Sequence, residues 1–274
     1  MTRPFLLSAG VNDPALATPG RLAAVLSAAD AAGFDLLVLG SAADHPFDAQ
    51  VLAAWAAPRS TSVGIVATVA ADNAHPFHVA RALSAVDFLA DGRAGWSVVP
   101  GKASPAQADD FVRATRALWD GWDANCLIID KASGVYLDPA KVRVPHYEGP
   151  FYSTLGPVNA MRPPQGHLVL VSDGAAPMGV PGVDIALIDA GQRLAATKSL
   201  AKVSADTSAD DLALRFAAGE IDGAHFTLTA PEAQMPQIAA RFAALGGARR
   251  GKTLRERLGL PLSPAALTPQ LEAA

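Results

Sequence analysis

Short apolar runs recur along the chain, with longer amphipathic stretches between them. The runs cover residues 5–7, 35–39, 63–69, 95–99, 168–172, 184–188, 200–203 and 224–228. Within them, Leu36, Leu37, Val38 and Leu39 do not alternate with polar residues. That pattern belongs to strands covered on both faces, as in a parallel sheet. Parallel neighbours need a crossover of a dozen or more residues, and most of the gaps hold a segment of near-3.6 periodicity.

Val79, Ala82, Leu83, Val86 and Leu89 form one helical stripe, and Phe111, Ala114, Thr115, Leu118, Trp119 and Trp122 form a second. Met235, Ile238, Ala239, Phe242 and Leu245 form a third. Such stripes are faces pressed on a sheet. Helix starts are marked by Thr18-Pro19, by Ser104-Pro105 and by Ser208 ahead of Asp210 and Asp211, while Gly33 suits a helix stop. Eight strand candidates with interleaved helices predict an α/β fold, a (β/α)8 TIM barrel spanning residues 1–274 as a single domain. The absence of a G-x-G-x-x-G turn before the first helix sets the dinucleotide-binding alternative aside.

Two regions break the rhythm and make the predicted barrel partly degenerate, with shortened loops. Residues 125–166 are proline-rich and hairpin-like, an excursion over the outside or mouth of the barrel. Residues 173–183 hold three glycines and two prolines, too short and broken for a helix, so the helix after the fifth strand should be missing. Residues 247–274 are expected to pack on the barrel as a C-terminal tail. Its basic cluster of Arg249, Arg250, Lys252, Arg255 and Arg257 reads as a solvated face.

Composition narrows the partners. Half of the 274 residues are hydrophobic, enough to bury a large core, and the net charge of −4 argues against nucleic acid or an anionic membrane surface. A single cysteine, Cys126, forbids an intrachain disulfide and suits a reducing compartment. The N-terminal residues lack a signal-peptide core and no stretch is long enough to span a bilayer, so a cytoplasmic protein is expected. No His and carboxylate cluster has metal-ligand spacing and no G-x-S-x-G elbow is present, so neither a metal site nor a serine hydrolase is expected.

More specific are residues 63–81 (VGIVATVAADNAHPFHVAR) running into 89–99 (LADGRAGWSVV), then 117–122 (ALWDGW), 136–142 (YLDPAKV), 146–151 (HYEGPF), 162–166 (RPPQG) and 253–260 (TLRERLGL). In this order the chain resembles the bacterial-luciferase-like flavin monooxygenases, in the branch of the nitrilotriacetate, EDTA and dibenzothiophene-sulfone monooxygenases. The resemblance implies a barrel that binds reduced FMN at the C-terminal ends of its strands, fed by a separate flavin reductase, and oxygenates a small organic substrate. It also implies a homodimer.

Carried onto this chain, the flavin positions fall on Ser41, Thr68, Ala70, Ser97, Ser172 and Gly174. By their places near strand ends, His45, His75 and Trp96 are read as substrate-mouth candidates, against a helix-end hydrogen bond for the histidines and simple burial for the tryptophan. Several of these depart from the family pattern. Ser41 stands for an aspartate, Ala70 and Ala71 for hydroxyl residues, Ser97 for an asparagine and Pro100 for a threonine. Asp173 adds an anion where the resemblance puts a phosphate. The departures support an alternative: a non-catalytic relative that has lost flavin and serves as a partner subunit or small-ligand binder.

Overall fold

Each of the eight apolar runs forms a strand in the computed structural model, which describes residues 3–11, 14–40, 47–247 and 250–263. The strands are β1 (Leu6–Val11), β2 (Leu36–Leu39), β3 (Gly64–Ala70), β4 (Ala94–Val99), β5 (Val169–Asp173), β6 (Ile185–Ile188), β7 (Lys198–Ser204) and β8 (Gly223–Leu228). All neighbours are parallel, and β8 pairs with β1 to close the barrel. Helices α1 (Pro19–Ala32), α2 (Ala49–Ala56), α3 (Pro76–Leu89), α4 (Pro105–Asp120), α5 (Ala209–Ala217) and α6 (Pro231–Phe242) lie around it.

Thr18 precedes α1 with Pro19 in the first turn, but its hydroxyl donates back to Ala15 O and caps no amide of the helix, whereas two other start signals act as read. Ser104 and Ser208 accept N-cap bonds from Gln107 N and Asp211 N. Gly33 ends α1 in the left-handed conformation, φ 70°, returning its N–H to Ala29 and Asp30. One stripe needs correction. On α3 the buried face is Val79, Ala80, Leu83, Ser84, Val86 and Asp87, whereas Leu89 is 49% exposed. The ridge turns away at its last residue because the helix ends there, and Ala90 takes the buried place.

The helix expected to be missing after β5 is absent, and a second is absent after β6. Residues 174–184 and 189–197 cross between parallel neighbours without one. Nine residues between β6 and β7 are too few for a helix and two turns. Buried Val180 and Val183 cover part of this side in its place.

The N-terminal end of the barrel is plugged. Leu254, Leu258 and Leu260, on and after the short helix α7 (Leu254–Arg257), pack with Leu6, Leu36, Val66, Val169 and Leu200 of the barrel interior. Gly64 is required by this closeness, since a Cβ there would lie 2.7 Å from Leu254 Cδ1. A capping box of Thr253 and Glu256 starts α7. Between α4 and β5 stand two hairpins, Leu127–Asp130 with Val135–Leu137 and Tyr147–Glu148 with Ser153–Thr154. Asp110 of α4 holds the second, accepting from Phe151 N and Tyr152 N at 2.9 Å and from the Tyr147 hydroxyl. Burial and that carboxylate push the Tyr147 pKa up to about 12. Among the described residues no helix is long and apolar enough to cross a membrane.

Candidate functional site

Side chains alternate along each strand, one toward the helices and the next into the barrel. Leu6, Val66, Val169, Val171 and Leu200 belong to the interior cluster, so Ser8, Thr68, Ala70, Ser97, Asp173, Lys202 and His225 point inward as well. They form the upper, polar part of the interior, above the leucine plug. Thr68 and Ser97 are register partners on β3 and β4 and stand side by side. Among the described residues the buried Thr68 hydroxyl has no hydrogen-bond partner. Ala70 lies one step nearer the mouth.

On the other wall, Ser8 Oγ and His225 Nδ1 are 2.8 Å apart. Burial drives the His225 pKa down to about 4, with Asp173 pulling it up and Lys202 pushing it down, so its ring is neutral at pH 7. Lys202 Nζ donates to Asp173 at 2.9 Å and to Asp189 at 3.5 Å. Partial burial disfavours the ammonium, but both carboxylates outweigh it and raise the Lys202 pKa. The anion at Asp173 is therefore neutralised, although the cation that does so is shared with a second carboxylate.

The loop after β5 answers whether a flavin phosphate fits there. Gly174 N donates to Leu187 O at 2.7 Å, Ala175 N to Asp173 Oδ1 at 2.9 Å and Ala176 N to Asp173 O at 3.0 Å. Met178 N donates to Ser172 Oγ, and Gly179 N and Val180 N both donate to Asp109 Oδ1. Residue 177 is proline. Every amide from Gly174 to Val180 is thus spent within the protein. The space a Cβ on Gly174 would take is filled by Gln192 Oε1, while Gln192 Nε2 donates to Gly174 O at 2.8 Å. A phosphate needs free donors, each such bond being worth roughly 1.5–3 kcal/mol. This loop offers none and carries a carboxylate, so it does not fit the group.

The residues named from sequence do not all meet in one place. Thr68, Ala70 and Ser97 share the interior. Gly174 lies beside it with its N–H used, while Ser172 has the opposite parity and serves the loop. Trp96 faces the helices, not the mouth: fully buried, it stacks edge-to-face on Trp119 at 5.4 Å, and Trp119 Nε1 donates to Ala80 O. His75 is the N-cap of α3, its Nδ1 accepting from Phe77 N at 3.3 Å, with its ring edge-on to Tyr152. Ser41 and His45 lie outside the described residues. Sequence reading missed Ser8, Lys202 and His225, each of which sits in or beside a run read only as strand. The available signal was a polar residue between two fully buried apolar ones, as in Ala224-His225-Phe226.

A closed parallel barrel with leucines filling its N-terminal end and inward polar side chains at its C-terminal mouth is the class of a (β/α)8 enzyme scaffold. Residues 3–266 match the model of the luciferase-like monooxygenases. The chain is 33% identical over 288 residues to one of the subunits of pristinamycin IIA synthase from Streptomyces pristinaespiralis, covering 98% of this chain and 99% of that protein. It is 35% identical over 148 residues to dibenzothiophene-sulfone monooxygenase of Rhodococcus erythropolis, but this alignment covers 48% of the chain and only 32% of that enzyme. EDTA monooxygenase from Chelativorans sp. BNC1 has the same fold, with a TM-score of 0.78 at 16% identity over 96% of this chain and 100% of that one. The chain belongs to the luciferase-like monooxygenase family, and by that resemblance it is of the flavin-dependent monooxygenase type.

Proposed function

We propose that the chain is the second barrel of a two-subunit, FMNH2-dependent monooxygenase acting on a small organic compound. In this reading it works beside a flavin-holding barrel and a separate flavin reductase, and does not itself bind the flavin phosphate. The observation that carries the reading is the loop from Gly174 to Val180, whose amides are all spent and whose glycine is blocked by Gln192. Its support from relatives is the end-to-end similarity to a protein described as a synthase subunit.

A partner barrel of the same family fits the outer face of α2 and α3. Val51 is 67% exposed, and with Ala54, Ala82 and Ala85 it lines a groove of about 540 Å³. Small residues there let a second pair of helices approach closely. A homodimer, which the family resemblance implies, is the other occupant open to this face, and the mass of the isolated chain in solution separates the two.

A second reading, that this barrel holds FMNH2 itself, is favoured by the unspent Thr68 hydroxyl. Anaerobic titration of the isolated chain with FMNH2, and separately with FMN, decides between them. The expected result is no change in absorbance or fluorescence up to high micromolar flavin. Tight FMNH2 binding, with oxygen uptake coupled to substrate oxidation by the isolated chain, overturns the partner-subunit reading.

A further inference from the structure

We infer that the polar cup inside the barrel mouth takes an uncharged carbonyl compound, such as an amide, lactone or ketone, between the Thr68 and Ser97 hydroxyls and the His225 imidazole. The inference rests on the reading above in one respect: the mouth is taken as the place where this barrel meets a small molecule.

Four observations converge. First, Thr68 Oγ1 is buried without a partner among the described residues, and native interiors seldom leave such a group unpaired. Second, Ser97 stands beside it at the same level of the barrel, so two hydroxyl donors point into one space. Third, His225 makes its one side-chain bond, among the described residues, through Nδ1 to Ser8. That bond fixes the ring and leaves Nε2 as a second hydrogen-bonding function across the cup. Fourth, Gly10 and Ala70 leave the cup shallow at β1 and β3, whereas the longer Asp173 and Lys202 stand on β5 and β7, with His225 on β8 beside Ser8.

Charge selects the class of ligand. Asp173 and Asp189 give two negative charges against the one positive charge of Lys202, and His225 is neutral. An anion entering the cup would meet a net negative wall and a cation that is already shared, so carboxylates and phosphates are disfavoured. A cation would have to displace Lys202 from two carboxylates. A neutral carbonyl group escapes both penalties, since its oxygen accepts from Thr68 and Ser97 without disturbing the ion pairs.

The test uses three probes of one shape and different charge: benzamide, benzoate and benzamidine. Binding to the full chain is followed by the His225 imidazole resonances at pH 7. Benzamide should bind most tightly and shift those resonances, benzamidine more weakly and benzoate least. Thr68→Val and Ser97→Ala should each weaken benzamide about fivefold, the value of one ordinary hydrogen bond, and the double variant roughly 30-fold. Thr68→Val keeps the side-chain shape, and unchanged melting temperatures verify that the variants are folded. Benzoate binding best, benzamide binding that ignores both substitutions, or no binding of any probe at millimolar concentration would each overturn the inference. None of these outcomes touches the flavin titration of the isolated chain, so the two readings fail separately.

Discussion

Arg255→Ala should cost about 3–5 kcal/mol of stability, the penalty for stranding a buried charge. Arg255 and Asp184 are each only 6% exposed in their side chains. The guanidinium donates to both carboxylate oxygens, at 2.8 and 2.7 Å, and also to His167 O and Pro261 O. Its backbone N–H reaches Gln165 Oε1, and Gln165 in turn donates to Asp87 of α3 and to Ala94 O of β4. The guanidinium thereby ties the plug to Asp184 ahead of β6 and to the segment leading into β5, while the backbone N–H, which alanine keeps, carries the link to α3 and β4. Without it, the Asp184 carboxylate keeps, among the described residues, only the N–H of Leu170 at 2.9 Å.

Against a typical total of about 5–15 kcal/mol, the loss would be decisive. Urea unfolding followed by circular dichroism measures it. The double variant Arg255→Met with Asp184→Asn should recover most of the loss, because it removes the charge along with its partner. A single-variant cost under about 1 kcal/mol would mean that the ion pair does not hold the plug.

This network also shows where sequence reading stops. The cluster of five basic residues that includes Arg255 looks like a solvated face, because local charge density reports nothing about a carboxylate 71 positions away. The Thr253-x-x-Glu256 spacing does announce a helix start, although not that its leucines fill the end of a barrel. The strands were legible for a different reason. A doubly covered strand must be apolar on both faces, so eight such runs appear without any alignment.

What periodicity could not give is parity, the choice of which alternate residue faces inward. Trp96 and Ser97 are adjacent, and only the register of β4 against β3 and β5 sends the tryptophan to the helices and the serine to the cup. A slip of one residue would have exchanged them. The missing helix after β5 was marked by prolines and glycines. The one after β6 was marked only by the shortness of residues 189–197. The site was least legible where its chemistry is carried by an absence, since the unavailability of the Gly174 amide depends on Leu187 O, thirteen residues on.

Two buried groups give the protein opposing pH dependences, and the second large effect is expected on separating them. His225 titrates at about 4 in the folded protein, lowered from 6.5 by burial. Between those values the unfolded chain binds the extra proton, so stability rises with pH, and acidification from 6.5 to 4 removes about 3 kcal/mol. Asp87, fully buried at the end of α3, titrates at about 6. Burial raises it from 3.8, against the pull of bonds from Gln165 and Ala94 N and the charge of Arg255. Here the folded state holds the proton longer, so stability is highest below the unfolded pKa and falls as pH rises through 6, again by about 3 kcal/mol.

Across roughly pH 4 to 6 the two slopes nearly cancel in the wild type. His225→Asn removes the acid penalty, so its stability relative to wild type should improve by about 3 kcal/mol between pH 7 and pH 4. Asp87→Asn should show the reverse, improving by a similar amount between pH 4 and pH 7. Any fixed cost of either asparagine drops out of the pH difference. Urea midpoints for the three proteins at pH 4, 5.5 and 7 give both quantities. Parallel curves for wild type and His225→Asn would mean that the histidine is not held neutral in the folded protein.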